Sequence, residues 1–335
     1  MRKLIYCIAL LGLFLASCED KKKETPDVQT ADTITVTMGA EYANDIYYSL
    51  SQGEVSKQNR TDWQLAFESE AQGCGILIND GAGVEVFTYP GKTIANFADT
   101  LYPSTVKGVK LYNSTSTWIK AGALNTYTNV QAWDFGWGIY NASNHMLSGD
   151  SIYIIKYKNS TGTFVTQKLA ILKREPIGHY YYFAVADTNK AASYDTIKLS
   201  GDQNLTQRYL YYSFLSPSKI LNREPDKDKW DLLFTTYMIP FSPYAVPGAK
   251  SNEGITVFLA SGADTLKKYN EVTYKKGITS IGSDWYEFDH VTRSYIIKKI
   301  FFYVKVDDSN YYKIKFVSFD RSKGIIKFIK EKIEL

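Results

Sequence analysis

Side chains able to coordinate a metal, attack a substrate or shuttle protons are scarce in this 335-residue chain. It carries three His, three Cys and four Met, against 27 Tyr and 17 Phe. His145 sits in Asn144-His145-Met146, His179 precedes a Tyr run, and His290 lies in a turn-like stretch, Phe288-Asp289-His290-Val291-Thr292. So few imidazoles supply a metal centre or a nucleophile–His–carboxylate triad poorly. Gly91-Lys92-Thr93 lacks the upstream glycine of a phosphate loop, which would fall at Val86, and Gly73-Cys74-Gly75 has Ile78 where a dinucleotide fingerprint needs glycine. Neither His-Glu-x-x-His nor Gly-x-Ser-x-Gly occurs. No catalytic residue and no ligand for a lone metal ion is assigned, and the chain is expected not to be an enzyme. Met238 is set apart by its surroundings: Thr235 to Glu253 reads TTYMIPFSPYAVPGAKSNE, with Tyr237, Phe241 and Tyr244 as flat neighbours of the thioether. Exposed rings offer a different chemistry, stacking on sugars, for which Trp118, Trp133, Trp137, Tyr244 and Trp285 are the candidates.

The elements that must position these residues begin after a targeting segment. Arg2-Lys3 and the apolar run Leu4 to Leu15 read as a signal peptide over residues 1–17, too short to span a bilayer. Leu15-Ala16-Ser17-Cys18 resembles the lipobox of bacterial lipoproteins, so Cys18 is the expected lipidation site, and residues 18–32 form a polar tether. The acidic residues after Cys18 resemble the surface-export signal of Bacteroidetes lipoproteins. A lipid-anchored place on the outer membrane, exposed at the cell surface, is expected. With Cys7 removed and Cys18 acylated, Cys74 has no partner for a disulfide in the mature chain. The mature charge is near balance, 39 − 2 = 37 basic against 35 acidic residues, so nucleic acid is not an expected partner.

An aromatic share of 15% favours strands. Short alternating runs punctuated by Gly, Asn and Pro, with no sustained 3.6 periodicity, argue an all-β fold. Trp63 to Phe67, WQLAF, has Trp63, Leu65 and Phe67 on one face of a strand by simple alternation. It has a later copy, WDLLF at Trp230 to Phe234. Tyr47-Tyr48-Ser49-Leu50 returns as Tyr211-Tyr212-Ser213-Phe214, an offset of 211 − 47 = 164, and Trp63 returns as Trp230 at 230 − 63 = 167. Trp285 to Phe288 sits where Trp137 to Tyr140 sat, and Phe301 to Lys305 where Ile152 to Lys156 sat. Co-linear landmarks of this kind predict two β domains, residues 33–190 and 191–335.

The second copy, with its WDLLF strand, its Trp285-Tyr286-Glu287-Phe288-Asp289 segment and its closing YYKIKFVSFDRSKGIIKF hairpin, resembles the HmuY family. The first copy resembles it more weakly. The resemblance implies two antiparallel HmuY-like β domains in tandem. It also implies a haem-binding surface lipoprotein for iron acquisition, with haem as bound ligand rather than catalytic cofactor. Haem or a haem-carrying protein, and an outer-membrane receptor, are the implied partners. In that family the iron is held by His or Met from loops beside the sheet, and imidazole and thioether are suitable ligands. Carried onto this chain, Met238 and His290 are the expected iron ligands, with Tyr237, Phe241 and Tyr244 as walls. Met238 also reads as a residue that packs in a long loop. The loop after Phe67 is short and holds neither His nor Met. The alternative function is a surface lipoprotein that binds carbohydrate or a protein partner without haem.

Overall fold

The computed structural model describes residues 31–70, 73–118, 121–125, 133–189, 194–201 and 206–335. The leader, Cys18 and the tether as far as residue 30 lie outside them. The protein is all-β, with antiparallel pairing throughout the described sheets and, among the described residues, only short 3₁₀ turns between strands. Up to residue 111 the strands are β1 (Asp32–Thr37), β2 (Asn44–Ser49), β3 (Gly53–Asn59), β4 (Leu65–Glu68), β5 (Ile76–Ile78), β6 (Glu85–Thr93) and β7 (Lys110–Leu111). Then come β8 (Gly138–Asn141), β9 (Met146–Gly149), β10 (Ser151–Lys158), β11 (Phe164–Arg174) and β12 (Tyr181–Asp187). The second repeat supplies β13 (Thr196–Leu199), β14 (Tyr209–Tyr212), β15 (Ile220–Leu221), β16 (Leu232–Met238), β17 (Ala245–Ser251), β18 (Thr256–Ala260) and β19 (Lys275–Lys276). It closes with β20 (Tyr286–Asp289), β21 (Ser294–Ile297), β22 (Phe301–Lys305), β23 (Tyr311–Asp320) and β24 (Ile325–Ile333).

Two large sheets have the same order: β1-β24-β23-β22-β18-β19, and β13-β12-β11-β10-β6-β7. Two small sheets also correspond, β3-β2-β16-β17 and β15-β14-β4-β5. The leading strands are therefore exchanged between the repeats. The Tyr-Tyr strand β2 of the first repeat pairs with the WDLLF strand β16 of the second, Tyr48 opposite Leu232 and Ile46 opposite Phe234. The Tyr-Tyr strand β14 of the second pairs with β4 of the first, Tyr212 opposite Leu65. In the same way β1 closes against β24 and β13 against β12. The division near residue 190 marks where the sequence begins again, but the pairing divides elsewhere. Strands β4 to β15, residues 61–222, make one pair of sheets, inserted between 31–60 and 223–335, which make the other.

The equivalence of the two halves extends to single contacts. Trp63 meets Tyr211 edge-on at 5.0 Å, and Trp230 meets Tyr47 edge-on at 5.1 Å. Gln64 N donates to Tyr212 O and Asp231 N to Tyr48 O, both at 2.9 Å. Leu50 N donates to the Asp231 carboxylate at 2.6 Å, and Phe214 N to the Gln64 amide oxygen at 2.7 Å. The hydroxyls of Tyr47 and Tyr211 face each other at 3.4 Å between the two halves. Neither tryptophan follows simple alternation. Each precedes its strand, and Trp63 packs with Ala66, Tyr209 and Tyr211 rather than with Leu65 and Phe67.

Each half has a main core fed by both repeats. Leu199, Leu210 and Tyr212 join the core of β4 to β12, while Val36, Met38, Ile46, Tyr48 and Leu50 join that of β16 to β24. The central strands are buried on both faces: Tyr153 and Ile155 of β10 point into the main core, and Ile152 and Ile154 into a smaller one with Tyr89, Phe97 and Leu101.

Candidate functional site

The stretch Thr235 to Glu253 is mostly hairpin rather than loop. Strands β16 and β17 run seven residues each, in register from Leu232–Ser251 to Met238–Ala245. Tyr237 and Met238 are consequently buried strand residues. The Tyr237 hydroxyl faces Ser283, and burial pushes it up to about 12. Phe241 and Tyr244 stand at the hairpin tip, 91% and 67% exposed, with Phe241 at φ 66° and its ring 5.9 Å from Tyr112. His290 is exposed in the turn between β20 and β21, edge-on to Phe288 at 5.0 Å. The five expected haem contacts are thus split between a buried strand, an exposed tip and a separate hairpin turn. None of them lines the cleft of about 790 Å³ that opens elsewhere in the molecule.

That cleft is walled by the half built from residues 61–222 and, from the other half, by Glu253. One contiguous set of its walls is aromatic. Trp133 is 63% exposed, Tyr140 lies 5.6 Å from it and 6.4 Å from Phe135, and His145 lies beside Tyr140. The β8–β9 hairpin positions them: Tyr140 N donates to Trp133 O at 2.9 Å, and Phe135 N to Gly138 O at 2.9 Å. Trp133 and His145 both have left-handed backbone, φ 75° and 58°. For a bulky residue such as Trp that conformation is strained, and strain of this kind gathers at binding sites. The Tyr140 hydroxyl and His145 Nδ1 are 2.5 Å apart.

The second set of walls is charged and comes from both repeats. Arg208, almost fully buried, is within 3.9 Å of Glu68 and of Glu70 and is bonded to Glu253. Glu68 ends β4, and its carboxylate accepts the N–H groups of Cys74 at 3.0 Å and Gly75 at 2.8 Å, which closes the short turn. Burial pushes the Glu68 carboxyl up, against the pull of those N–H groups and Arg208. Glu70 is held below the ordinary range, chiefly by its 2.9 Å bond from Lys227. Arg174 Nη2 donates to Glu70 O at 2.7 Å.

The two halves differ in hairpin length on the side where the cleft lies. The segment before Trp285 is held against β17 by paired bonds between Ala249 and Gly282, at 3.0 and 2.9 Å, with Tyr237 packed alongside. The corresponding strands β4 and β5 have four and three residues, and Trp137 is held instead by its Nε1 donating to Cys74 O at 2.8 Å. Glu68, Glu70 and Gly73, beside that short turn, line the cleft.

Of the rings offered as platforms, Trp137 and Trp285 are buried, and Trp118 is half-buried with its Nε1 donating to Ser251 O at 2.8 Å. Trp133 and Tyr244 are the exposed ones, and only Trp133 faces the cleft. Sequence reasoning noticed His145 and Trp133 separately, and the dense aromatic run from Trp133 to Tyr140 was the available signal. Nothing marked Glu68, Glu70, Arg208 and Glu253 as partners, because the outermost are 253 − 68 = 185 positions apart. Among the described residues no cluster of three or more His, Cys, Asp or Glu is arranged to hold a lone metal ion. The arrangement can stack a flat ring system and offer carboxylates, a guanidinium and a phenol–imidazole pair to its polar edge. No protein-family model, curated protein or solved structure matches the chain.

Proposed function

We propose that this is a non-enzymatic surface lipoprotein that binds a flat, amphipathic ligand in the Trp133–Tyr140 cleft, with haem or a related porphyrin as that ligand. The observation that carries the reading is the cleft: its volume of about 790 Å³ suits a ligand of porphyrin size, and aromatic walls stand beside charged groups. The lipobox at Cys18 and the resemblance to the HmuY family support the same reading, in which cargo is received at the outer membrane and passed to a receptor. Titrating the mature protein with haemin should sharpen and shift the Soret band. Trp133→Ala, which removes one wall, should raise Kd by about 5- to 30-fold, the equivalent of about 1–2 kcal/mol. If wild-type protein leaves the haemin spectrum unchanged in both oxidation states, the haem reading fails.

A second reading has its own observation. Trp133 is widely exposed in the same cleft as Glu70 and Glu253, and a ring beside carboxylates suits sugar stacking with hydrogen bonds to hydroxyls. Binding to a glycan array by the same protein, without a haemin response, selects carbohydrate.

A further inference from the structure

We infer that Tyr140 is the iron ligand for haem seated in this cleft, and that His145 is the positioning residue that takes its proton. This rests on the haem reading above and replaces Met238 and His290 as the iron-binding pair. Tyr140 is half-buried in the aromatic wall, its ring 5.6 Å from that of Trp133 and 6.4 Å from that of Phe135, and it lines the cleft together with His145. The hydroxyl is already engaged by His145 Nδ1 at 2.5 Å, and the four-residue turn of the β8–β9 hairpin presents that imidazole. Tyrosine is an established axial ligand of haem iron. A second group that hydrogen-bonds to a ligand fixes its orientation and raises its basicity.

The step balances without an added redox partner. The Tyr140 O–H bond breaks as the oxygen–iron(III) bond forms. The proton passes to His145 Nδ1, and the water or chloride on haemin iron leaves. Iron stays ferric throughout. An anionic oxygen favours iron(III) over iron(II), so reduction should loosen the complex, whereas thioether or imidazole ligation would survive it.

The test compares haemin with iron-free protoporphyrin IX on the wild-type mature protein and on Tyr140→Phe and His145→Ala. Wild-type protein should give a high-spin ferric spectrum with a phenolate-to-iron charge-transfer band, which dithionite abolishes. Tyr140→Phe should lose that band and bind haemin about 100-fold more weakly, and His145→Ala should weaken haemin binding by about 10-fold with the band retained. Protoporphyrin IX should bind all three alike, which shows that the variants fold and that the cleft is intact. Porphyrin binding with an unchanged haemin spectrum in Tyr140→Phe overturns the ligand assignment and leaves the cleft reading standing. A low-spin spectrum lost in Met238→Ala or His290→Ala also overturns it. If neither haemin nor protoporphyrin binds, both readings fall.

Discussion

Glu224 shows what burial between two arginines does to a single residue. Its carboxylate accepts Tyr209 N at 3.1 Å, and burial pushes its pKa from 4.5 up to about 7, partly opposed by that N–H and by Arg208 and Arg223. A carboxyl whose folded pKa is raised adds stability that is complete below about 4.5 and is lost as pH rises through about 7. The amount is up to about 3 kcal/mol. Glu224→Gln should remove this slope, so its stability relative to wild type should rise between pH 5 and pH 8 in urea titrations. An identical slope in both proteins would show that Glu224 is not the group responsible.

Between elements, the pairing of hairpin and facing segment decides where the molecule is open. Gly248 on β17 lies so close to Gly282 that an added Cβ would meet the Gly282 carbonyl at 2.5 Å. Gly248→Ala should therefore push the hairpin off its neighbour and cost about 1–3 kcal/mol, read as a lowered denaturation midpoint with an unchanged m-value. A variant as stable as wild type would show that this contact yields freely. The strands themselves were legible in the sequence. IYIIKY at β10, FFYVK at β22 and the YYKIKF hairpin alternate or run apolar as strands must, and they are strands. The hairpin after Phe234 was not legible, because Pro240, Pro243 and Pro247 mark a loop by their residue type. Pro247 nevertheless sits opposite Thr236 on β17, which is an edge strand of its small sheet and can tolerate a missing N–H.

Over the whole molecule, strand exchange sets which pieces can fold. Residues 61–222 contain every strand of two sheets, whereas 33–190 lacks β13 to β15 and carries β1 without β24 and the β2–β3 hairpin without β16. A fragment of 61–222 should show a cooperative denaturant transition, and a fragment of 33–190 should not; the reverse outcome would show that the exchanged pairing is not the stable one. The cleft should follow the same rule in part, since Glu68, Glu70, Arg174 and the aromatic wall belong to 61–222 but Glu253 does not.

The sequence by itself determined the all-β class, the position of most strands and the two-fold repetition of landmarks, because alternation and aromatic content are local properties of a pleated, half-buried strand. It could not determine which copy pairs with which. The Tyr-Tyr and WDLLF-type phrases are near-equivalent, so either pairing satisfies their hydrophobic pattern, and the pairing adopted carries non-local contacts such as Tyr47–Tyr211 and Arg223–Asp45 that no local pattern encodes. The cleft was hidden for the same reason. Its walls are residues far apart in the chain, from Glu68 to Glu253, which only the fold brings together.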